Sequence, residues 1–318
     1  MDATRRGEGP LPPITLLYPV YTFENKVLLP AGTVLSAETL ESLISSERRS
    51  SDPTFPLLRY STVREDLLQL LSRPPYSTIV DSREQLAELM ALMEPIRLIH
   101  PVLQSLEYFK MEDFETYRHI LMVSSLATLL IKDLLSDLPD QLQEAATGPT
   151  HDFGKLCIPL NVLRKSSPLT RTERGIIEHH AAAGYALLIY YLRDIHHLSA
   201  RVSRDHHERR DGSGYPRGIH LADRIVEIVA VSDVYDALIS SRPYRPSPFN
   251  NRTALEEITG MAERNEIGWD VVKGLIARNR ASKPHYTECS LSREKRGRPP
   301  ADSLYGVITE ENSDKKNP

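Results

Sequence analysis

The spacing of apolar residues from Asp81 onward constrains the fold more than any other feature of the sequence. Leucine and methionine recur within 86–93 at positions i, i+3, i+4 and i+7, which is the pattern of an amphipathic helix. A second helix is predicted over 112–135, and another over 224–240, where the sequence is too apolar for a surface element. The region from about 100 to 280 is therefore predicted to be an all-helical domain.

Proline and capping residues indicate where these helices begin and end. Pro95 and Pro101 mark breaks or kinks, because proline lacks the backbone N–H that a helix interior requires. Thr170 and Glu173 have the Thr-x-x-Glu spacing of a capping box, which predicts that a helix begins here. That helix would carry Glu178, His179 and His180.

The first eighty residues have a different pattern. Between Ile14 and Leu43, the short apolar runs ITLLYPVYTF and KVLLP, closed by Ala31-Gly32, predict strands with a turn. Ser36 precedes AETLESLI in the position of a helix N-cap. The stretch 45–75 is rich in serine, arginine and proline, which predicts a connector made mostly of loops.

These patterns together predict a mainly α protein in which a small α+β N-terminal domain precedes an all-helical bundle. The predicted boundaries are 12–80 for the N-terminal domain, to which we give a regulatory role, and 81–280 for the helical domain. The charged, proline-containing residues 281–318 are predicted to form a mobile tail.

The charge balance argues against a nucleic acid polymer as the partner. The chain has 39 basic and 43 acidic side chains, a formal net charge of −4, and so lacks the basic excess that holds a polyanion. Its two cysteines, Cys157 and Cys289, form no short metal-binding pair. No apolar core of signal-peptide length follows the charged N-terminus, and no apolar run is long enough to span a bilayer. We therefore expect a cytoplasmic protein without a membrane segment.

Histidine is distributed very unevenly. Eight of the eleven histidines lie between His151 and His220, where an even spread would place roughly two. A lone buried histidine is more often a hydrogen-bonded core residue than a ligand, but joint occurrence with carboxylates changes that interpretation. Imidazole plus carboxylate without thiolate is the ligand set of iron, manganese or zinc. The clustering therefore predicts a metal site.

Two short motifs refine this prediction. His151-Asp152-x-x-Lys155 places a neutral donor, an anion and a cation within one turn, and burying that trio without a charged guest would be costly. Upstream, Glu115 and His119 are four residues apart and share a helix face. For Glu115, an ordinary solvated acid in the first turn of a helix is an equally good interpretation.

The region after residue 205 adds a carboxylate, a loop and cations. Asp233 lies within the apolar VAVSDVYDAL, so its carboxylate must meet either a metal or a serine or tyrosine hydroxyl. DGSGYP at 211–216 predicts a tight loop directly after a double histidine. Arg242 and Arg245 flank Pro243-Tyr244, which suits a phosphate-bearing ligand with an aromatic base, although such arginines are also common on ordinary surfaces.

Three of these motifs resemble one family in combination and in order. HDFGK at 151–155, HHERRDGSGYP at 206–216 and SDVYDALISSRPYR at 232–245 are similar to the HD-GYP domain, the GYP-bearing branch of the HD phosphohydrolases. The resemblance covers roughly 100–280 and implies an all-α, HD-type bundle. It also implies hydrolysis of the bacterial second messenger cyclic di-GMP with two or three metal ions, usually iron or manganese.

The resemblance also assigns roles to individual residues. It makes Asp152 a catalytic residue that bridges two metals, gives Lys155 a catalytic contact with the scissile phosphate, and makes Glu115 the ligand that would recruit a third metal. The implied metal ligands are Glu115, His119, His151, Asp152, His180, His206, His207 and Asp233. The implied substrate-binding residues are Tyr215, Arg242, Tyr244 and Arg245.

The expected activity is conversion of cyclic di-GMP to pGpG, and onward to GMP if Glu115 recruits a third metal. One alternative is a weakly active or inactive module that binds cyclic di-GMP and signals through a partner such as a diguanylate cyclase. Another keeps the chemistry but changes the substrate to a different cyclic dinucleotide or a nucleotide phosphate. The sequence leaves a homodimer open.

Overall fold

The structure is a computed structural model that describes residues 12–45, 53–135, 145–241, 247–292, 294–301 and 308–309. Helices dominate these ranges, and the strands among them are two or three residues long. The prediction of a mainly α fold is confirmed. Within the described residues, no helix combines the length and the apolar character that crossing a bilayer requires.

The elements follow one another along the chain with short connections. The helices are α1 (Ala37–Ser45), α2 (Val63–Leu71), α3 (Tyr76–Ile79), α4 (Arg83–Met93), α5 (His100–Glu112), α6 (Phe114–Leu134), α7 (Leu160–Leu163), α8 (Arg171–Leu192), α9 (Leu198–Asp205), α10 (Arg224–Ile239), α11 (Asn251–Glu263) and α12 (Trp269–Arg278). The strands are β1 (Val20–Tyr21), β2 (Val27–Leu29), β3 (Thr54–Pro56), β4 (Arg97–Ile99), β5 (Leu169–Thr170) and β6 (Ile308–Thr309). Short 3-10 turns occupy Leu57–Arg59, Ala145–Thr150, Phe153–Cys157 and Tyr286–Glu288.

The N-terminal strands and the first helix form where the sequence predicts them. β1 and β2 pair antiparallel, and α1 begins directly after Ser36, whose Oγ accepts a hydrogen bond from Thr39 N at 3.2 Å. Phe23 N donates to the hydroxyl of Tyr191 at 2.9 Å, which ties the β1–β2 turn to α8. The N-terminal strands therefore lie against the helical region.

The prediction of a loop connector over 45–75 is wrong for most of the described residues in this range. β3 pairs antiparallel with β4, and α2 occupies Val63–Leu71. Val63, Leu67 and Leu71 are buried along one face of α2. The serine, arginine and proline of the surrounding sequence favour a loop, whereas the spacing of these apolar residues favours a helix. The spacing is the better indicator, because it reports burial more directly than composition does.

The helix boundaries follow the capping residues. The Thr170 hydroxyl accepts from Glu173 N at 3.2 Å, and Thr170 N donates to the Glu173 carboxylate at 2.8 Å, so the predicted capping box is confirmed. Pro101 occupies the first turn of α5, where its missing N–H leaves no helical hydrogen bond unmade. α4 ends at Met93, just before Pro95.

α6 is the central helix of the body. It packs against α2, α4, α5, α10 and α12 and against the turn Ala145–Thr150, and nearly all of its residues from Thr116 onward are buried. α8 packs on the turn Phe153–Cys157, where Gly154 and Gly184 touch. A Cβ on Gly154 would overlap the carbonyl oxygen of His180, so only glycine allows this approach.

The described parts of the three predicted domains contact one another. Buried apolar side chains from 14–80 and from the helices after Asp81 belong to one continuous cluster. Near the C-terminus, Gly297 N donates to Glu256 Oε2 at 2.6 Å, and β6 pairs parallel with β5. The division at 80 and the mobility of 281–318 stay predictions.

Candidate metal centre

Seven predicted ligands from separate parts of the chain converge in the middle of the helical region. The ligands lie on α6, in the turn before Phe153, on α8, at the end of α9 and on α10. In that order they are His119, His151 and Asp152, His180, His206 and His207, and Asp233. All are buried except His207, whose side chain is 18% exposed.

Three of them form the Asp233 group, which we define as His119, His151 and Asp233. One ligand atom from each lies within 4.8 Å of the other two. His119 Nε2 is 3.0 Å from Asp233 Oδ1. Two imidazoles and a carboxylate around one point are a ligand set for a divalent cation.

Another three form the His180 group, which we define as His180, His206 and His207. Their ligand atoms also lie within 4.8 Å of one another. The Nε2 atom of His180 is 3.3 Å from that of His206 and 3.2 Å from that of His207. This is a second set of nitrogen ligands around one point.

Asp152 lies between the two groups. Its Oδ2 is 3.2 Å from His151 Nε2 and 3.5 Å from His119 Nε2, while its Oδ1 is 3.5 Å from His180 Nε2. Lys155 Nζ donates to the same Oδ2 at 2.6 Å. Each oxygen of one carboxylate therefore faces a different group, as a bridging ligand requires.

The opposite ring nitrogen of four of these histidines is held by an acceptor, which fixes the imidazole with its proton on Nδ1. The Nδ1 contacts are His119 to Asp236 Oδ2 at 2.6 Å, His151 to Gly148 O at 2.6 Å, His180 to Ile177 O at 2.6 Å and His206 to Ser203 O at 3.0 Å. In the neutral imidazoles, the lone pair of Nε2 then points into the centre.

These inward nitrogens fit a bound cation. His180 and His206 present two unprotonated Nε2 atoms to each other, and two acceptors make no hydrogen bond. The buried Nε2 of His151 has no hydrogen-bond partner, an arrangement that is costly unless something positive lies there. The residues present therefore suit metal ions at both groups.

Burial and neighbouring charge give the His180 group and Asp152 the protonation states that metal ligands need. Burial, followed by the nearby His151 and His180, lowers the pKa of His206 to about 3, and burial also lowers the pKa values of His180 and His207. Burial alone would raise the pKa of Asp152, but Lys155 and the histidines hold it well below its usual value. The His180 group is neutral and Asp152 is anionic near pH 7.

Comparison with known proteins agrees with this geometry. The profile of the HD domain matches residues 84–271, more than half of the chain. The chain belongs to the HD domain family. The resemblance predicted from the three motifs is thereby confirmed.

Relatives of this HD domain protein include enzymes of three bacteria. The chain is 38% identical to a cyclic di-GMP phosphodiesterase of Pseudomonas aeruginosa over 53% of its own length and 40% of the relative. It is 37% identical to a cyclic di-GMP phosphodiesterase of Thermotoga maritima over 49% of its length and 43% of the relative. A 3′3′-cGAMP-specific phosphodiesterase of Vibrio cholerae is 36% identical, with 42% of this chain and 31% of the relative covered. The chain thus spans less than half the length of these relatives.

Asp236 is a buried residue of the HD domain that the sequence analysis does not assign to the centre. Asp236 is fully buried on α10 and accepts from His119 Nδ1 at 2.6 Å, from Arg118 Nη2 at 2.8 Å and from the Tyr76 hydroxyl at 2.6 Å. Its position three residues after Asp233, on the same face of an apolar helix, was the available signal. Arg118 and Tyr76 carried no comparable signal.

The remaining predicted site residues lie around or outside the HD domain centre. Tyr215 stacks on His207 with ring centroids 4.5 Å apart and an interplanar angle of 22°. Glu115 belongs to neither group; its carboxylate is 41% exposed and lies 3.5 Å from Arg118 Nε. Arg242, Tyr244 and Arg245 lie outside the described residues.

Proposed function

We propose that this HD domain protein is a metal-dependent phosphodiesterase that hydrolyses cyclic di-GMP to pGpG. The observation that carries the proposal is the carboxylate of Asp152, whose two oxygens face two separate groups of ligand atoms. Two of the relatives are named as cyclic di-GMP phosphodiesterases, which supports this substrate.

The Asp233 group and the His180 group would each hold one divalent cation, with Asp152 as the shared ligand. Iron and manganese are the metals that we propose, because imidazole and carboxylate ligands suit both. Bound cations would lower the pKa of water in the site and neutralise charge on the phosphodiester.

Side chains of the centre would position the substrate and supply positive charge where the reaction occurs. In the hydrolysis, water adds to phosphorus, the bond to a ribose 3′ oxygen breaks, and that oxygen takes up a proton. The product is a linear dinucleotide with a 5′ phosphate. Lys155, 13% exposed beside Asp152, would contact the phosphate oxygens as negative charge develops on them. Tyr215 would contact the substrate from the loop that covers His207.

The surroundings of Glu115 favour pGpG as the end product. A third metal at Glu115 would have to bind beside the Arg118 guanidinium, 3.5 Å from the carboxylate, and two cations so close repel each other. We therefore place two metals in the centre. Formation of GMP would indicate that Glu115 recruits a third.

A second candidate keeps the chemistry and changes the substrate. A relative of Vibrio cholerae with similar identity is named as specific for 3′3′-cGAMP, so another cyclic dinucleotide is the alternative that the comparisons favour. Arg242 and Arg245 would bind phosphates or guanines in either case. The cytoplasmic location, a signalling partner such as a diguanylate cyclase, and a homodimer stay predictions.

The test is metal analysis and turnover of protein purified without oxygen. We expect about two equivalents of iron or manganese per chain, and conversion of cyclic di-GMP to pGpG resolved by chromatography, with 3′3′-cGAMP assayed in parallel. Asp152→Ala should lose metal and turnover together, because it removes the ligand shared by both groups. Asp270→Ala, which removes an exposed carboxylate paired with Arg224, is the matched control.

The outcomes separate the candidates. Unchanged hydrolysis by Asp152→Ala would exclude the proposed centre. Faster turnover of 3′3′-cGAMP would select the second candidate. Full metal loading and tight cyclic di-GMP binding without turnover would show that the protein is a binding module and not an enzyme.

A further inference from the structure

A tyrosine from the N-terminal part of the chain reaches the metal centre. Tyr76, on α3, is 4% exposed, and its hydroxyl donates to Asp236 Oδ1 at 2.6 Å. It lies inside 12–80, the range predicted from sequence to be a separate regulatory domain. A direct hydrogen bond therefore connects that range to a side chain that contacts a candidate metal ligand.

Asp236 orients His119. One of its oxygens, Oδ2, is 2.6 Å from His119 Nδ1 and 2.8 Å from Arg118 Nη2. The other oxygen, Oδ1, accepts from Arg118 Nη1 at 3.1 Å and from Tyr76. A carboxylate behind a ligating histidine fixes its tautomer and ring orientation and raises its basicity. The rotation of the Asp236 carboxylate thus determines where His119 Nε2 points.

Tyr76 contacts Asp236 from α3, whereas His119 and Arg118 contact it from α6. His119 and Arg118 hold the Asp236 carboxylate of α10 relative to α6, and Tyr76 holds it relative to α3. The Tyr76 ring packs edge-on against Tyr235 at 6.4 Å, and its hydroxyl forms a short hydrogen bond to a buried anion.

The elements that carry Tyr76 are themselves anchored to the helical region. Asp66 on α2 accepts from the Tyr117 hydroxyl at 2.7 Å and forms an ion pair with Lys110 at 2.5 Å. These contacts join α2 to α5 and α6, and α3 follows α2 after a short connection. A displacement of 63–79 relative to α6 would therefore withdraw Tyr76 from Asp236.

We propose that Tyr76 is a positioning residue for the metal centre, through which the packing of residues 63–79 sets the metal affinity of the Asp233 group. Tyr76 acts through Asp236 and His119. The proposal rests on the metal-binding part of the proposed function and is independent of the substrate.

The test is a Mn²⁺ titration of metal-free protein against a chelating dye, with Tyr76→Phe and a matched control. Tyr76→Phe removes only the hydroxyl, and loss of such a contact behind a ligand should weaken Mn²⁺ binding about tenfold. Tyr235→Phe removes another buried hydroxyl, which bonds Asn251 and Asn279 instead, and should leave the affinity within about twofold of the unmodified protein. Equal affinities in the two variants would overturn the proposal.

A second comparison shows whether Tyr76 acts through Asp236. In an Asp236→Asn background, Tyr76→Phe should weaken Mn²⁺ binding much less than tenfold, because the carboxylate that it orients is gone. An unchanged tenfold loss in that background would show a general effect on folding and would reject the positioning role. If the unmodified protein binds no Mn²⁺, both the proposed function and this inference fail, whereas failure of Tyr76→Phe alone leaves the proposed function intact.

Discussion

The two ligand groups of the centre are built differently. The Asp233 group contains an anionic ligand, and behind its His119 stands a buried carboxylate, Asp236, that is paired with Arg118. The His180 group contains only imidazoles, and the anchors behind His180 and His206 are backbone carbonyl oxygens. One group is therefore charged and its His119 is supported by side chains, whereas the other is neutral and its His180 and His206 are supported by the local backbone.

Their surroundings differ as well. The His180 group includes His207, which is partly exposed and stacks on Tyr215 of the loop at 211–216. His119 and His151 of the Asp233 group are 1% exposed or less. Because a carboxylate ligand and a carboxylate behind a ligating histidine both increase attraction for a cation, the Asp233 group should bind its cation first and release it last.

The largest predicted effect compares removal of one ligand from each group. Asp233→Ala removes the only anionic member of its group, so we expect loss of tightly held metal and of turnover together. His207→Ala leaves the Asp233 group complete, and we expect it to retain about one cation per chain while losing turnover. Elemental analysis after gel filtration measures both; equal metal content in the two variants would refute the difference between the groups.

The next effect concerns the contact that brings α8 to the centre. Gly154→Ala would force a methyl group against the carbonyl oxygen of His180, so α8 must shift and the His180 group should lose its cation first. Overpacking of this kind typically costs about 1–3 kcal/mol of unfolding free energy. Denaturant unfolding of the metal-free protein measures the cost.

Gly175→Ala is the control for that substitution. Gly175 lies on the same helix as His180, and the nearest atom to an added Cβ is the Tyr18 hydroxyl at 3.9 Å. Replacing a helical glycine by alanine should stabilise the protein by up to about 1 kcal/mol and leave metal binding unchanged. Unaltered metal content and stability in Gly154→Ala would show that the approach of the two segments does not define the His180 group.

The smallest predicted effect concerns the stacking of Tyr215 on His207. Tyr215→Leu removes a ring contact of the kind worth about 0.5–1.5 kcal/mol, so the His180 group should bind its cation roughly two- to tenfold more weakly. The cation affinity of the Asp233 group should not change. Tyr108→Leu, at a partly buried tyrosine packed edge-on against Phe109, is the control. An equal loss of cation affinity in both variants would show that Tyr215 does not support the His180 group.

The sequence predicted which histidines and aspartates lie together, because several of them recur in compact motifs. His151-Asp152 and His206-His207 are adjacent pairs, and their density among apolar helices indicates a shared site. The capping box at Thr170 and the boundary at Pro101 were equally local and equally readable. Structural features formed by residues within one helical turn of each other can therefore be predicted from the sequence.

Contacts between distant segments were not predictable in this way. Tyr76 and Asp236 are 160 residues apart, and nothing in either local sequence points to the other. Glu115 illustrates the opposite limit, because sharing a helix face with His119 did not bring its carboxylate into either group. Helical spacing gives the direction of a Cβ atom, but a long side chain at the edge of a face reaches whichever partner lies nearest.

The backbone and carboxylate anchors on the histidine Nδ1 atoms have a consequence for the thermodynamics of metal loading. Four imidazole rings already have their χ1 and χ2 torsions restricted by these hydrogen bonds in the folded chain. The loss of rotamer entropy is therefore part of the free energy of folding rather than of cation capture. Cation binding at this centre should consequently show little conformational entropy loss, and its pH dependence should reflect the nitrogen ligands rather than the ordering of the chain.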